Sequence, residues 1–396
     1  MFHRSKHYLF TTTCFNLFIL FRHILSISLT INVITFFLKY FQGRTFAKII
    51  NEFVDCYKPL NETYLAAYST EEGRKVYDET LECVKKQFPQ YVREIEGTAA
   101  GANVPFYKLF LMHLDDIVPN VVNGEMASTK QPVGCSSIVC NYPGQEILGH
   151  NEDALSETLN YWYIVCADIN EPGYKKEKFS SLSYAGFLPG YTMGYNYHGL
   201  VFSINTLSAK TLRSGKTPRY FLARALLGVE NFVQAQQTLR NKGYGAAEGF
   251  SVNMTFLEQE GDRMFHNAEV GPVEKDSDES QLSILTASPG ENIFHCNKYL
   301  RLKVPEVDGV IIPSSEHRMA AILRHPRPRT RREVIEILTD QTDNEYRVYQ
   351  EFGPDDYVKT IATGIFDCVK RTWSIYADKP KFNEPLVVLP IRTETF

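Results

Sequence analysis

No Cys-x-x-Cys pair occurs among the eight cysteines, which fall at positions 14, 56, 83, 135, 140, 166, 296 and 368. Neither a zinc cage nor a compact disulfide scaffold has that spacing. Most of them therefore read as small buried apolar residues in a reducing compartment, and a cytoplasmic location is expected. The ten histidines contain no His-Glu-x-x-His, so neither a catalytic metal nor any other cofactor is expected. Charge of one sign is also lacking: 42 basic residues face 46 acidic ones, a net charge of −4. That balance implies no general affinity for nucleic acid or anionic membrane. One basic run, Arg324 to Arg332, holds two prolines and leads into Thr330-x-x-Glu333, whose capping-box spacing precedes Val334, Ile335, Ile337 and Leu338. It reads as a solvated loop before a helix rather than a nucleic-acid patch. No internal repeat is present.

A clean membrane-spanning run is missing as well. Tyr8 to Phe21 and Ile24 to Leu38 are apolar or small-polar stretches, but Arg22-His23 divides them. Each falls short of the roughly 20 residues a spanning helix needs. No small-residue cleavage site follows, as a signal peptide requires. Residues 1–42 are thus a hydrophobic N-terminus with three readings: a membrane anchor through residues 8–41, a signal sequence, or a gene-model artefact, which its composition favours.

The informative part of the chain is Gly134-Cys135-Ser136-Ser137, followed by Gly149-His150-Asn151-Glu152-Asp153. A cysteine thiol near its ordinary pKa of about 8.5 is mostly protonated at neutral pH and needs a base. An α-amine on the same residue, with a pKa of about 7.7–8, supplies one if the chain is cut before Cys135. Gly134 suits the preceding position because it has no side chain and tolerates strained backbone. Cys135 to Asn141 reads as a strand, Pro143-Gly144 as a turn and Glu146 to His150 as the returning strand. This hairpin brings Asp153 back beside Cys135, to hold amine and thiol in register.

Those residues resemble the acyl-coenzyme A:6-aminopenicillanic acid acyltransferase family of cysteine N-terminal-nucleophile (Ntn) hydrolases, and the wider group of bile salt hydrolases and penicillin V acylase. Ala185 to Met193, His198 to Thr206, Leu212 to Arg219 and Thr360 to Asp367 are similar to the insect β-alanyl amine hydrolases of that family. The resemblance runs from about Gly43 to the C-terminus. It implies a four-layer αββα sandwich, where periodicity alone supports only a mixed α and β fold. It also implies self-cleavage into residues 43–134, largely helical, and a catalytic part 135–396, with processed pairs that associate further into a homo-oligomer.

The residue roles carry over position by position. Cys135 is the nucleophile and Asp153 its orienting carboxylate. Asn297, in His295-Cys-Asn-Lys, resembles the oxyanion donor, and Asn205 a second asparagine near the nucleophile. For both asparagines the plain alternative is an Asx-turn or cap. Where some relatives have arginine three residues before the aspartate, this chain has His150. No arginine is evident near Thr360 either, which leaves the charge balance at the thiol open. The expected substrates are β-alanyl amides of dopamine and histamine, with Glu152 as a candidate partner for the β-alanyl ammonium and Ser137 as a second substrate contact. Transfer of an acyl group to an amine, and a non-catalytic binding or membrane-associated homologue, are the competing functions.

The remaining local readings are helix over Phe46 to about Gln90 and around Leu109 to Leu114, and a polar linker over 120–134. Strands are expected at 161–169, 199–205, 250–258, 361–368 and 372–377. Two helices follow Thr217-Pro218, read as cap and first-turn proline, and end near Asn241-Lys-Gly243.

Overall fold

The computed structural model describes residues 15–20, 24–31, 35–123, 134–351, 353 and 357–394. Most of the expected linker, residues 124–133, lies outside them. Two strands come first, β1 (Phe15–Leu20) and β2 (Ile24–Ile31). A helical block follows: α1 (Thr35–Thr45), α2 (Ala47–Cys56), α3 (Leu65–Ser69), α4 (Glu71–Gln87), α5 (Pro89–Ala102), α6 (Phe106–Met112) and α7 (Ile117–Asn123). A π-helical turn, Pro59–Tyr64, joins α2 to α3.

Strands dominate after Gly134. The hairpin is β3 (Cys135–Tyr142) and β4 (Gln145–Leu155), closed by Pro143 and by Gly144 at φ 77°, a left-handed angle that suits glycine. Next come β5 (Trp162–Ile169), β6 (Glu177–Tyr184), β7 (Met193–Asn196) and β8 (Leu200–Leu207). Helices α8 (Arg219–Leu226) and α9 (Phe232–Arg240) precede β9 (Gly249–Phe256), β10 (Phe265–Gly271), β11 (Gln281–Ala287) and β12 (Glu291–His295). The chain closes with α10 (Ile311–Arg324), α11 (Arg331–Leu338), β13 (Val358–Asp367), β14 (Thr372–Tyr376) and β15 (Val387–Pro390).

Nine strands form one sheet in the order β1-β2-β5-β6-β7-β8-β9-β10-β11, and six form a second in the order β12-β3-β4-β13-β14-β15. Every pairing is antiparallel except β2 with β5. Strand alternation sorts the apolar residues into three cores, because successive side chains point to opposite faces. Tyr163, Val165, Phe179, Phe202, Phe250 and Met254 pack against Phe53, Val84, Ile95 and Phe110 of the helical block. Ile164, Leu182, Met193 and Val201 meet Val139, Leu148, Phe366 and Trp373 between the sheets. Ile138, Cys140, Ile147 and Ile365 meet Ala321, Ile322, Val334 and Leu338 of α10 and α11. Three cores separate four layers, so the fold is α+β in the expected αββα order.

Within the hydrophobic N-terminus, Phe15–Leu20 and Ile24–Ile31 pair as β1 and β2 at one edge of the larger sheet. Among the described residues no helix is long and apolar enough to cross a membrane. Pro218 occupies the cap position of α8, with no side-chain cap. Thr330 does cap α11: its Oγ1 accepts the Glu333 N–H, and Glu333 Oε2 accepts the Arg329 N–H.

Candidate active site

Cys135 opens β3 and faces Glu152 across the β3–β4 ladder, with Ser137 facing His150 two residues on. These four side chains therefore share the inter-sheet face, while Ser136, Asn151 and Asp153 point toward α10 and α11. The Cys135 thiol donates to Glu152 Oε2 at 3.6 Å. Glu152 Oε2 also meets His150 Nε2 at 3.0 Å, and Glu152 Oε1 accepts from the Tyr184 hydroxyl at 2.5 Å. Burial, followed by the charges of Glu152 and Asp153, pushes the Cys135 thiol well above its ordinary range, with Arg318 opposing. The thiol is thus protonated at neutral pH in the uncut chain.

The Cys135 backbone N–H donates to Asn297 Oδ1 at 2.9 Å. The same oxygen accepts from Arg318 Nη2 at 2.6 Å, and Asn297 Nδ2 donates to the Thr206 carbonyl at 2.9 Å. Arg318, fully buried on α10, gives Nη1 to the Cys135 carbonyl at 2.8 Å and to Ser136 Oγ at 3.0 Å. This is the cation that sequence reasoning missed. Its signal was an arginine on the inward stripe of a helix, four residues after Ser314 and four before the apolar Ile322.

Asp153 pairs with Thr360 across β4–β13, next to a bulge between Thr360 and Ala362. Its Oδ1 accepts the Thr360 hydroxyl at 2.6 Å, while Oδ2 is buried without any hydrogen-bond partner. Burial pushes Asp153 up to about 8 against the pull of Arg318 and Thr360. A buried orphan oxygen beside the Cys135 strand end is a costly arrangement that an ammonium group would relieve.

Gly134 is required for a reason other than backbone strain. It is not among the positive-φ glycines. A Cβ there would meet Asn297 Oδ1 at 2.2 Å and Arg318 Nη2 at 2.8 Å. The glycine lets the asparagine–arginine pair close over the Gly134–Cys135 bond.

The thiol opens into a cavity of about 280 Å³ lined by Cys135, Glu152, Asp153, Tyr184, Phe187, Tyr220 and the π-helical turn, among others. Ser137 and Asn205 are not brought to it. Ser137 Oγ bonds His150 Nδ1 at 2.8 Å and donates to Asn205 Oδ1 at 2.9 Å; Asn205 Oδ1 also accepts from Asn253 at 2.8 Å. Both lie in a buried polar network between the sheets, so they brace His150 and Glu152 from behind. A larger cavity of about 500 Å³, lined by Tyr91, Glu94 and Glu171, lies apart from this chemistry.

Two groups among the described residues have ligand atoms close enough for a metal: Cys135, His150 and Glu152, and Asp115, Asp116 and Glu248. In the first, Glu152 Oε2 already bridges thiol and imidazole. In the second, the Arg219 guanidinium pairs with all three carboxylates.

Residues 140–382 match the family model described as acyl-coenzyme A:6-aminopenicillanic acid acyl-transferase. The chain is 47% identical over 356 residues to the Drosophila melanogaster beta-alanyl-dopamine/carcinine hydrolase, covering 88% of this chain and 92% of that protein. Two solved structures are similar at lower levels. One is a point mutant of conjugated bile acid hydrolase from Clostridium perfringens, with 12% identity and a TM-score of 0.36 over 66% of this chain and 99% of that one. The other is penicillin V acylase from Agrobacterium tumefaciens, with 13% identity and a TM-score of 0.34 over 61% of this chain and 82% of that one.

Proposed function

Because the chain belongs to the acyl-coenzyme A:6-aminopenicillanic acid acyl-transferase family, we propose that it is a self-cleaving cysteine amidohydrolase for β-alanyl amides of biogenic amines. The fruit-fly relative's name motivates that substrate class. The observation that carries the mechanism is the Cys135 nitrogen held on Asn297 beside the partnerless Asp153 oxygen.

Attack of the Cys135 sulfur on the Gly134 carbonyl carbon forms a thioester and breaks the Gly134–Cys135 amide, the thiol proton passing to the departing nitrogen. Water then releases Gly134 as a carboxylate and leaves Cys135 with free thiol and amine. The new ammonium keeps Asn297 Oδ1 and gains Asp153 Oδ2; in its neutral form the amine takes the thiol proton during turnover. Sulfur attacks the β-alanyl carbonyl, and the amine leaves with that proton. Water hydrolyses the β-alanyl thioester.

Asn297 keeps a second Nδ2–H for the oxyanion, a donor of the kind that contributes roughly 3–4 kcal/mol. Asn205, further back, acts through Ser137 and His150. Glu152 accepts the β-alanyl ammonium. That ammonium is three bonds from the attacked carbon, a reach of about 4 Å with bonds of about 1.5 Å, and Glu152 touches the thiol.

The two pieces, 134 residues and the remaining 262 of 396, stay together, because Phe53 and Phe110 from one share a core with Phe179 and Phe250 from the other. Further association of processed pairs belongs to the same reading. A reducing compartment such as the cytoplasm suits seven described cysteines that are all free.

Denaturing gels with N-terminal sequencing test the proposal. Wild type is expected to give two bands, one beginning Cys-Ser-Ser-Ile, and to hydrolyse β-alanylhistamine. Cys135→Ala is expected to give one inert band. A wild type that stays intact and inert would overturn the reading. Acyl transfer, which the family's description brings in, is read in the same assay by adding a competing amine and looking for a new amide.

A further inference from the structure

The cavity has two acidic poles, and the reaction above uses only the one beside Cys135. At the other, Asp115 and Asp116 follow α6, and Arg219 and Tyr220 begin α8; all four line the cavity. Asp115 is fully engaged: Oδ1 accepts the Asp116 N–H at 2.9 Å, and Oδ2 accepts Arg219 Nη2 at 2.7 Å and the Tyr220 hydroxyl at 3.2 Å. Asp116 is held more sparsely, through the ion pair of its Oδ2 with Arg219 Nη1 at 2.9 Å. Behind them Glu248 is fully buried, 3.6 Å from the same nitrogen.

Two further facts mark this pole as incomplete. Glu248 Oε2 is buried without a hydrogen-bond partner, and one almost fully buried nitrogen, Arg219 Nη1, is shared between Asp116 Oδ2 and Glu248 Oε2. The three carboxylates lie within 4.8 Å of one another around one guanidinium. Burial and mutual repulsion push both Asp116 and Glu248 upward despite Arg219. A hydrogen-bond donor arriving from the cavity would relieve that crowding, and the cavity side of Asp116 is where it can dock.

An aromatic wall joins the two poles. Tyr184, which holds Glu152, stands 5.9 Å from Phe187, and Phe187 stands 5.2 Å from Tyr220, which holds Asp115. Tyr191 extends the wall, 4.2 Å from Tyr220. In a β-alanyl amide of an arylethylamine, seven bonds of about 1.5 Å separate the ammonium from the ring, so the ring begins roughly 9 Å away when the chain is extended. Its ring would lie along this aromatic wall.

We propose that Asp116, oriented by Arg219 and backed by Asp115, determines specificity for the leaving amine by accepting hydrogen bonds from donors on its ring. Catechol hydroxyls and an imidazole N–H both qualify, which explains how one cavity takes two dissimilar rings. The proposal rests on the β-alanyl amine reading.

Steady-state kinetics on the self-processed full chain test it, with β-alanyl amides of dopamine, histamine and phenethylamine, the last of equal reach but without ring donors. Wild type is expected to favour the first two by about 10- to 100-fold in kcat/KM, the range of one charged hydrogen bond. Asp116→Asn is expected to bring the three within about threefold of one another, mainly by raising KM for the first two. A wild type that cuts all three alike overturns this proposal and needs no variant to do so; so does an Asp116→Asn enzyme that keeps the full preference. A wild type inert toward all three overturns instead the reading on which it rests.

Discussion

Asp153 should make the uncut chain progressively less stable as pH rises. The perturbation is Asp153→Asn, made in a Cys135→Ala background that cannot cut itself. Burial holds the Asp153 carboxyl at about 8 in the folded uncut chain, against an ordinary value of 3.8. The folded state then binds more protons than the unfolded state throughout that interval, so stability is fully present below the lower value. It falls through the window and is lost above the upper one. Each unit corresponds to about 1.4 kcal/mol, and the interval of roughly four units to the order of 5 kcal/mol. The group is fully buried, so solvent screening takes little from that figure.

Urea denaturation at pH 5, 6, 7 and 8 reads it directly, since midpoints convert to free energies with a common slope. The free-energy difference between Cys135→Ala and Cys135→Ala/Asp153→Asn should change by about 1.4 kcal/mol per pH unit, with the asparagine form the more stable at pH 8. Parallel curves would refute the reasoning. They would mean that the carboxylate is ionised throughout and that its second oxygen is satisfied before cleavage. If self-cleavage sets a Cys135 ammonium against Asp153 as proposed, the slope should largely vanish in the processed chain.

Two further outcomes are expected. Gly134→Ala should slow self-cleavage by about 5- to 150-fold, because its Cβ displaces Asn297 and Arg318, and losing such a buried contact costs about 1–3 kcal/mol. A gel time course checks this, and wild-type rates would refute the need for a bare Cα at this position. In processed enzyme, Glu152→Gln should lower kcat/KM for β-alanylhistamine by about 10- to 100-fold, as expected for a charged hydrogen bond. An N-acetyl amide lacking the ammonium should lose far less; preserved β-alanylhistamine hydrolysis would remove Glu152 from substrate recognition.

Local chemistry alone made the hairpin legible. Strand alternation, Pro143-Gly144 and the spacing from Cys135 to Asp153 place these two residues on neighbouring strands before any tertiary contact is known. The helix after Thr330 was legible for the same reason, since a capping box is a contact between residues three apart. So were the helices after Pro218, the strands at β5, β8 and β9, and the two C-terminal strands β13 and β14. Long shared strings with a known family supplied the layer order and pointed to Asn297, whose Oδ1 accepts the Cys135 N–H. Apolar composition alone does not separate an edge strand from a short membrane segment, and the strand assignment of Ile24–Ile31 rests on its pairing with β5.

What tertiary structure alone decided is which distant side chains meet. Arg318 lies 183 positions from the carbonyl it holds, and no local pattern encodes that contact. Ser137 and Asn205 were expected at the pocket, yet Ser137, two residues further along the same face of β3 than Cys135, bonds Asn205 within the inter-sheet network. Asp116 and Arg219 carry no local signal of a site, yet the fold sets them across an aromatic wall from the thiol. Sequence determines chemistry where the partners are a few residues apart. Where the partners are a hundred residues apart, the sheet registers and the three cores make the choice.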